Sequence, residues 1–143
     1  MRKINNSFNT FFSLLRAGLW ESEANLSQYG EIDFARILKL AEDQSVVGIV
    51  TAGLERVQDV KVPQEIVLQF VGRTLQVEQR NNEMNYFVGQ LVEKMRLNGI
   101  YVILVKGQGI AQCYERPIWR ECGDIDLLLS EDNYEKTKGF LLP

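Results

Sequence analysis

Two carboxylates, Asp124 and Asp126, flank a single isoleucine in the run Cys122-Gly123-Asp124-Ile125-Asp126-Leu127-Leu128-Leu129. Side chains alternate between the faces of a strand, so this spacing predicts both acids on one face, with Ile125 and Leu127 on the other. Carboxylates held side by side repel, and a divalent cation between them relieves the repulsion. Magnesium, hard and oxygen-seeking, is the natural choice, with manganese as its substitute. An alternating strand with a solvated acidic face gives the same pattern, so the pair needs context. Upstream, Lys106-Gly107-Gln108-Gly109 follows the β-branched run Ile100 to Val105 and precedes a helical stretch from Ile110 to Tyr114. In such a loop backbone N–H groups converge on an anion. A glycine loop for phosphates and an acidic pair for magnesium are the two halves of a nucleoside triphosphate site.

Composition narrows the chemistry further. The 143 residues contain no histidine, which removes Ser-His-Asp and Cys-His nucleophilic systems and all histidine metal motifs, leaving carboxylates to carry most of any catalysis. Cys113 and Cys122, the two cysteines, are too few for a four-ligand zinc site and read as reduced, partly buried thiols. The formal charge of -3 gives no basic field for sequence-independent binding to duplex nucleic acid. No apolar run approaches the roughly 20 residues a bilayer span needs. After the positive Met1-Arg2-Lys3, Asn5, Asn6, Ser7 and Asn9 interrupt what a signal peptide would make continuously apolar, so a cytoplasmic protein without a membrane segment is expected.

The elements that must position these groups are mostly helical. Phe8, Phe11, Phe12, Leu15 and Leu19 recur at helical spacing behind the capping candidates Asn5, Asn6 and Ser7. Gly30 closes the next loop. Phe34, Ile37, Leu38 and Ala41 repeat the pattern after Asp33, and Val46, Ile49, Val50, Leu54 and Val57 repeat it behind Ser45. Val62-Pro63 predicts the start of a long helix. Its seam is Ile66, Phe70, Thr74, Val77, Asn81, Met84, Val88, Leu91 and Met95, with Gly72, Asn81 and Gly89 as points of kinking or close packing. Asn98-Gly99 stops it. Strands are expected at Ile100 to Val105 and Ile125 to Leu129, and a last helix, capped by Ser130, runs toward Leu141. The fold class is therefore α+β: a helical region over 1–98, then strand, glycine loop, helix, strand and helix over 99–143. Two strands alone are marginal, so the sequence predicts a chain cut short, or strands completed by a partner such as a second copy.

The stretch Leu104-Val105-Lys106-Gly107, with Tyr114, Pro117, Arg120 and Gly123-Asp124-Ile125-Asp126-Leu127-Leu128, resembles the bacterial uncharacterised nucleotidyltransferase family of the polymerase-β-like superfamily. The helical leader is also similar to that family. The resemblance implies transfer of a nucleoside monophosphate from a nucleoside triphosphate to an acceptor hydroxyl, the acceptor being a small molecule, a sugar, a protein side chain or an RNA end. It implies that Asp124 and Asp126 are the catalytic, metal-binding carboxylates and that Lys106, Gly107, Gln108, Gly109 and Arg120 line the nucleotide. For Lys106 the alternative is a surface ion pair, and for Arg120 a structural salt bridge. The sequence departs from the superfamily pattern in two places. Gln108 stands where serine or a second glycine is usual, and no third carboxylate follows on a later strand. The rival expectation is a non-catalytic helical interaction module, or an inactive truncated relative, with the Ile66 to Met95 seam as its working surface.

Overall fold

A computed structural model of the chain describes residues 2–141, with side chains over 6–139. Helix α1 (Arg2–Trp20) and a 3-10 turn (Ser27–Tyr29) lead to α2 (Phe34–Asp43), α3 (Val47–Leu54) and the long α4 (Gln64–Leu97). Strand β1 (Val102–Val105), the short α5 (Gly107–Ala111), a second 3-10 turn (Pro117–Trp119), β2 (Asp126–Leu129) and α6 (Glu131–Leu141) complete the α+β fold. No helix among the described residues is long and apolar enough to cross a membrane.

The first three helices and the start of α4 enclose one apolar core, in which Leu14, Leu26, Ile37, Val50 and Phe70 are buried completely. Helices α1 and α3 touch backbone to backbone: a Cβ at Gly18 would overlap the carbonyl of Ile49, and one at Gly53 the carbonyl of Leu14. Asp59, in the loop before α4, closes the base of this unit by accepting the backbone N–H groups of Leu26 (2.9 Å) and Ser27 (2.8 Å). These two bonds hold its carboxyl below the usual range, at about 2.

Local signals set several ends as expected. Asp33 caps α2 by accepting Arg36 N at 3.0 Å. Asn98-Gly99 ends α4: Gly99 takes a left-handed φ of 69°, and Gly99 N and Ile100 N return to Arg96 O and Met95 O. One expectation is corrected. Helix α1 starts at Arg2, so Asn6 and Ser7 lie within it, and Asn6 instead donates to Tyr29 O at 2.9 Å. The side chain of Asn5 lies outside the described residues. Ser45 does not cap α3. It holds the left-handed position that closes α2, with φ 55° and the same pair of bonds, Ser45 N to Glu42 O and Val46 N to Ala41 O.

Helix α4 runs 34 residues without a break, about 51 Å at the helical rise. Its buried residues, Phe70, Thr74, Val77, Asn81, Val88 and Met95, follow the predicted seam. Gly72 and Gly89 face open space, so the close packing falls at Asn81 alone of the three suspected positions. Strands β1 and β2 pair antiparallel, Val102 with Leu129 through Val105 with Asp126. Both are shorter than expected: the ladder takes in neither Ile100 and Tyr101 nor Ile125. Val102, Leu104, Leu127 and Leu129 share the face that is half-buried along its length, with α5 against β1 and α6 against β2. Ser130 precedes α6, its hydroxyl accepting Asn133 Nδ2 and its carbonyl Tyr134 N.

Candidate functional site

The turn from β1 into α5 is made by two successive residues with positive φ, Lys106 at 52° and Gly107 at 32°. Glycine tolerates this region and lysine does not, so Lys106 stores on the order of 1–3 kcal/mol of backbone strain. Gly107 is required for a second reason, since a Cβ there would sit 2.7 Å from the carbonyl oxygen of Asp124. A Cβ at Gly109 would likewise sit 2.7 Å from Leu104 O. The glycine loop is thus pressed against both the acidic segment and the strand it leaves.

Asp126 opens β2 opposite Val105, while Asp124 lies exposed just before the ladder. Lys106 Nζ stands 3.9 Å from Asp126 Oδ1, a loose pair with the lysine largely exposed. Arg120 occupies the junction between loop and acidic segment. Its Nη1 donates to Gly107 O (3.2 Å), Glu121 O (3.4 Å) and Cys122 Sγ (2.9 Å), and its guanidinium lies 5.6 Å from the centre of the Tyr114 ring. Its partners here are backbone, thiol and ring, where the sequence offered a salt bridge as the structural alternative. Cys122 is half-buried and Cys113 exposed, both as free thiols.

Gln108 is buried, 4% exposed, and turns its amide inward to donate to Asn81 Oδ1 at 3.2 Å. Asn81, 2% exposed, in turn donates through Nδ2 to Ile118 O and Arg120 O, each at 2.8 Å. The surrounding loop is fastened to the helices by Trp119 Nε1 donating to Glu78 (3.3 Å) and by Arg116, which pairs with Glu55 at 2.6 Å and stacks 4.4 Å from the Trp119 ring. Sequence reasoning gave Asn81 no site role. The signal in the sequence is a lone amide within an otherwise largely apolar helical seam, where a polar group must find partners.

As a donor set for magnesium, the two aspartates fit in kind. Magnesium commonly takes one or two protein carboxylates and completes its octahedron with phosphate oxygens and water. No cluster of three or more Asp, Glu, Cys or His residues suited to a metal occurs among the described residues, so Asp124 and Asp126 would leave the rest of the shell to water and, when present, to nucleotide oxygens.

A two-stranded antiparallel sheet, a glycine turn in contact with an Asp-X-Asp segment and a helical layer that carries the core define an α+β protein. Residues 30–142 match the model of the uncharacterised nucleotidyltransferase family, and the chain belongs to that family. The match begins in the helical region and runs through both strands. No curated protein and no solved structure matches the chain.

Proposed function

We propose that this chain binds a nucleoside triphosphate with magnesium or manganese and transfers the nucleoside monophosphate to an acceptor hydroxyl. Family membership supports nucleotidyl transfer in general, and the backbone contact between Gly107 and Asp124 carries the assignment of the site. Asp124 and Asp126 would hold the metal. Gly107 and Gly109 would hold the loop against Asp124 O and Leu104 O, which sets its backbone beside the acidic segment, and exposed Lys106 would meet the charge of the triphosphate. Gln108 and Arg120 would act from behind, Gln108 through its own backbone and Arg120 by fixing Gly107 O, because their side chains are already engaged.

A bound metal ion supplies charge neutralisation on the triphosphate and alignment of the acceptor with the α-phosphate. In the transfer, the acceptor oxygen bonds the α-phosphorus and the bond to the bridging oxygen breaks. Pyrophosphate leaves with the electron pair, and the hydroxyl proton passes to water. Asp124→Asn and Asp126→Asn each remove one negative charge without changing shape. Calorimetry with magnesium and ATP, GTP, CTP or UTP should show binding to the parent and its loss in both variants. Equal binding by parent and variants, or no binding by the parent with either metal, would refute the site.

A second reading has one observation in its favour. The Ile66 to Met95 seam is turned inward and is not the surface an interaction module would use, but Leu68, Val71 and Leu75 lie exposed beside it at i, i+3 and i+7 on α4. Metal-indifferent association through that stripe, without nucleotide binding, would select it.

A further inference from the structure

We infer that Asn81 is a positioning residue for the nucleotide site, setting the glycine loop and the acidic segment in register from its place on α4; the inference rests on the site proposed above. The two halves of that site are far apart in sequence and belong to different elements. Asn81 reaches both. Its Oδ1 accepts Gln108 Nε2, immediately after Gly107, and its Nδ2 donates to Ile118 O and Arg120 O, on the segment that runs directly into Asp124. One buried amide therefore uses both N–H donors and its carbonyl on the two segments and none on its own helix.

The bonds also form a closed circuit. Asn81 holds the Arg120 backbone, the Arg120 side chain holds Gly107 O, and Gly107 adjoins both Gln108 and the carbonyl of Asp124. Loss of the amide would take away the side-chain partner of Ile118 O and of the Gln108 amide and leave Arg120 O with only the long bond from Cys122 Sγ (3.5 Å), and the loop and acidic segment would find new partners separately. Helix α4 is a suitable anchor, since Phe70, Thr74 and Val77 bury the same face one to three turns earlier.

Asn81→Leu tests the inference against Thr74→Val, which breaks a different buried α3–α4 bond, Thr51 Oγ1 to Thr74 Oγ1 at 2.7 Å, and touches neither half of the site. Two readouts are needed: calorimetric binding of magnesium with ATP, GTP, CTP or UTP, and amide hydrogen exchange over residues 106–111 and 118–124. Asn81→Leu should weaken nucleotide binding about tenfold or more and speed exchange in both segments together. Thr74→Val should lower the melting temperature while leaving affinity and both segments as in the parent. Asn81→Ser, which keeps a hydroxyl for one of the bonds, should fall between parent and Asn81→Leu, and serves if the leucine variant does not fold. Unchanged exchange in the Asn81 variants, or an equal effect of Thr74→Val, overturns the positioning role. If the parent binds no nucleotide, the site reading falls by itself, and exchange alone decides whether Asn81 couples the two segments.

Discussion

A Cβ placed on Gly107 would come within 2.7 Å of the carbonyl oxygen of Asp124, so the phosphate-loop candidate and the acidic segment meet through their backbones. Gly107→Ala meets two obstacles at once, this clash and a φ of 32°. The alanine variant should lose about 1–3 kcal/mol of stability and the binding of magnesium with nucleotide. Gly72→Ala is the opposite case. Its Cβ would enter open space on a helix face, and removing a helical glycine should raise stability by about 0.5–1 kcal/mol. Thermal melts of both variants check the contrast, and a neutral Gly107→Ala would show that the two segments do not touch in solution.

Asp59 makes a pH-dependent contribution whose sign is set by its two backbone bonds. Its carboxyl sits at about 2 in the fold against an ordinary value of 3.8. A depressed folded value means that the charged form favours folding. The contribution is complete above about pH 4, where the unfolded chain is also ionised, and is lost as pH falls toward 2. Asp59→Asn should therefore be less stable than the parent near neutrality, and the difference should shrink between pH 4 and 2. Denaturant titrations at several pH values would expose a flat difference, which would contradict the bonds to Leu26 and Ser27.

What could be read from the sequence was whatever is written locally. Asp33 and Asn98-Gly99 announce helix ends because their partners are within five residues, and the α4 seam is visible because burial repeats with the helical period. Asp124 and Asp126 stand out by their spacing, but the strand alternation behind that reading covers Asp126 alone, because β2 begins there and Asp124 lies before the ladder. A serine between helices suits a cap as well as a left-handed closing turn, and at Ser45 only the bonds back to α2 distinguish them. The roles of Asn81 and Gln108 were hidden because their partners are 27 to 39 residues away. Gln108 therefore reads as a loop residue facing a ligand, when its side chain faces α4. The strained backbone of Lys106 carries no sequence mark at all, since lysine is not a residue that favours positive φ.

The exposed face of the sheet predicts self-association. Ile103 and Leu128 are direct partners in the ladder, 63% and 56% exposed, and lie on the same face as Asp126 and Val105. Each strand also has one edge without a ladder partner among the described residues. Apolar faces and open edges of this kind recruit further strands or another chain. Sedimentation at rising concentration should show association that Ile103→Thr with Leu128→Thr reduces, threonine being chosen to retain strand propensity. A parent that stays monomeric throughout would refute the prediction.

Lys106 combines a strained backbone with a charge beside the proposed metal ligand, and substitution can separate the two. Lys106→Gly removes both; Lys106→Met keeps the strain and removes only the charge. The pair with Asp126, at 3.9 Å between an exposed lysine and a partly exposed carboxylate, contributes little to folding. Relief of φ 52° should therefore dominate, and Lys106→Gly should be more stable than Lys106→Met by about 1 kcal/mol, or roughly 3 °C in melting temperature. Ligand binding should separate along a different line. An ammonium beside Asp126 competes with a cation for the same oxygen, so both variants should bind magnesium or manganese alone about fivefold more tightly. The triphosphate reverses the sign, because the lysine is free to leave Asp126 and meet phosphate charge. Both variants should bind magnesium with nucleotide more weakly than the parent. Calorimetry with metal alone and then with metal and nucleotide measures the two effects on one sample. If both affinities move in the same direction, Lys106 is a surface ion pair and the nucleotide lies elsewhere.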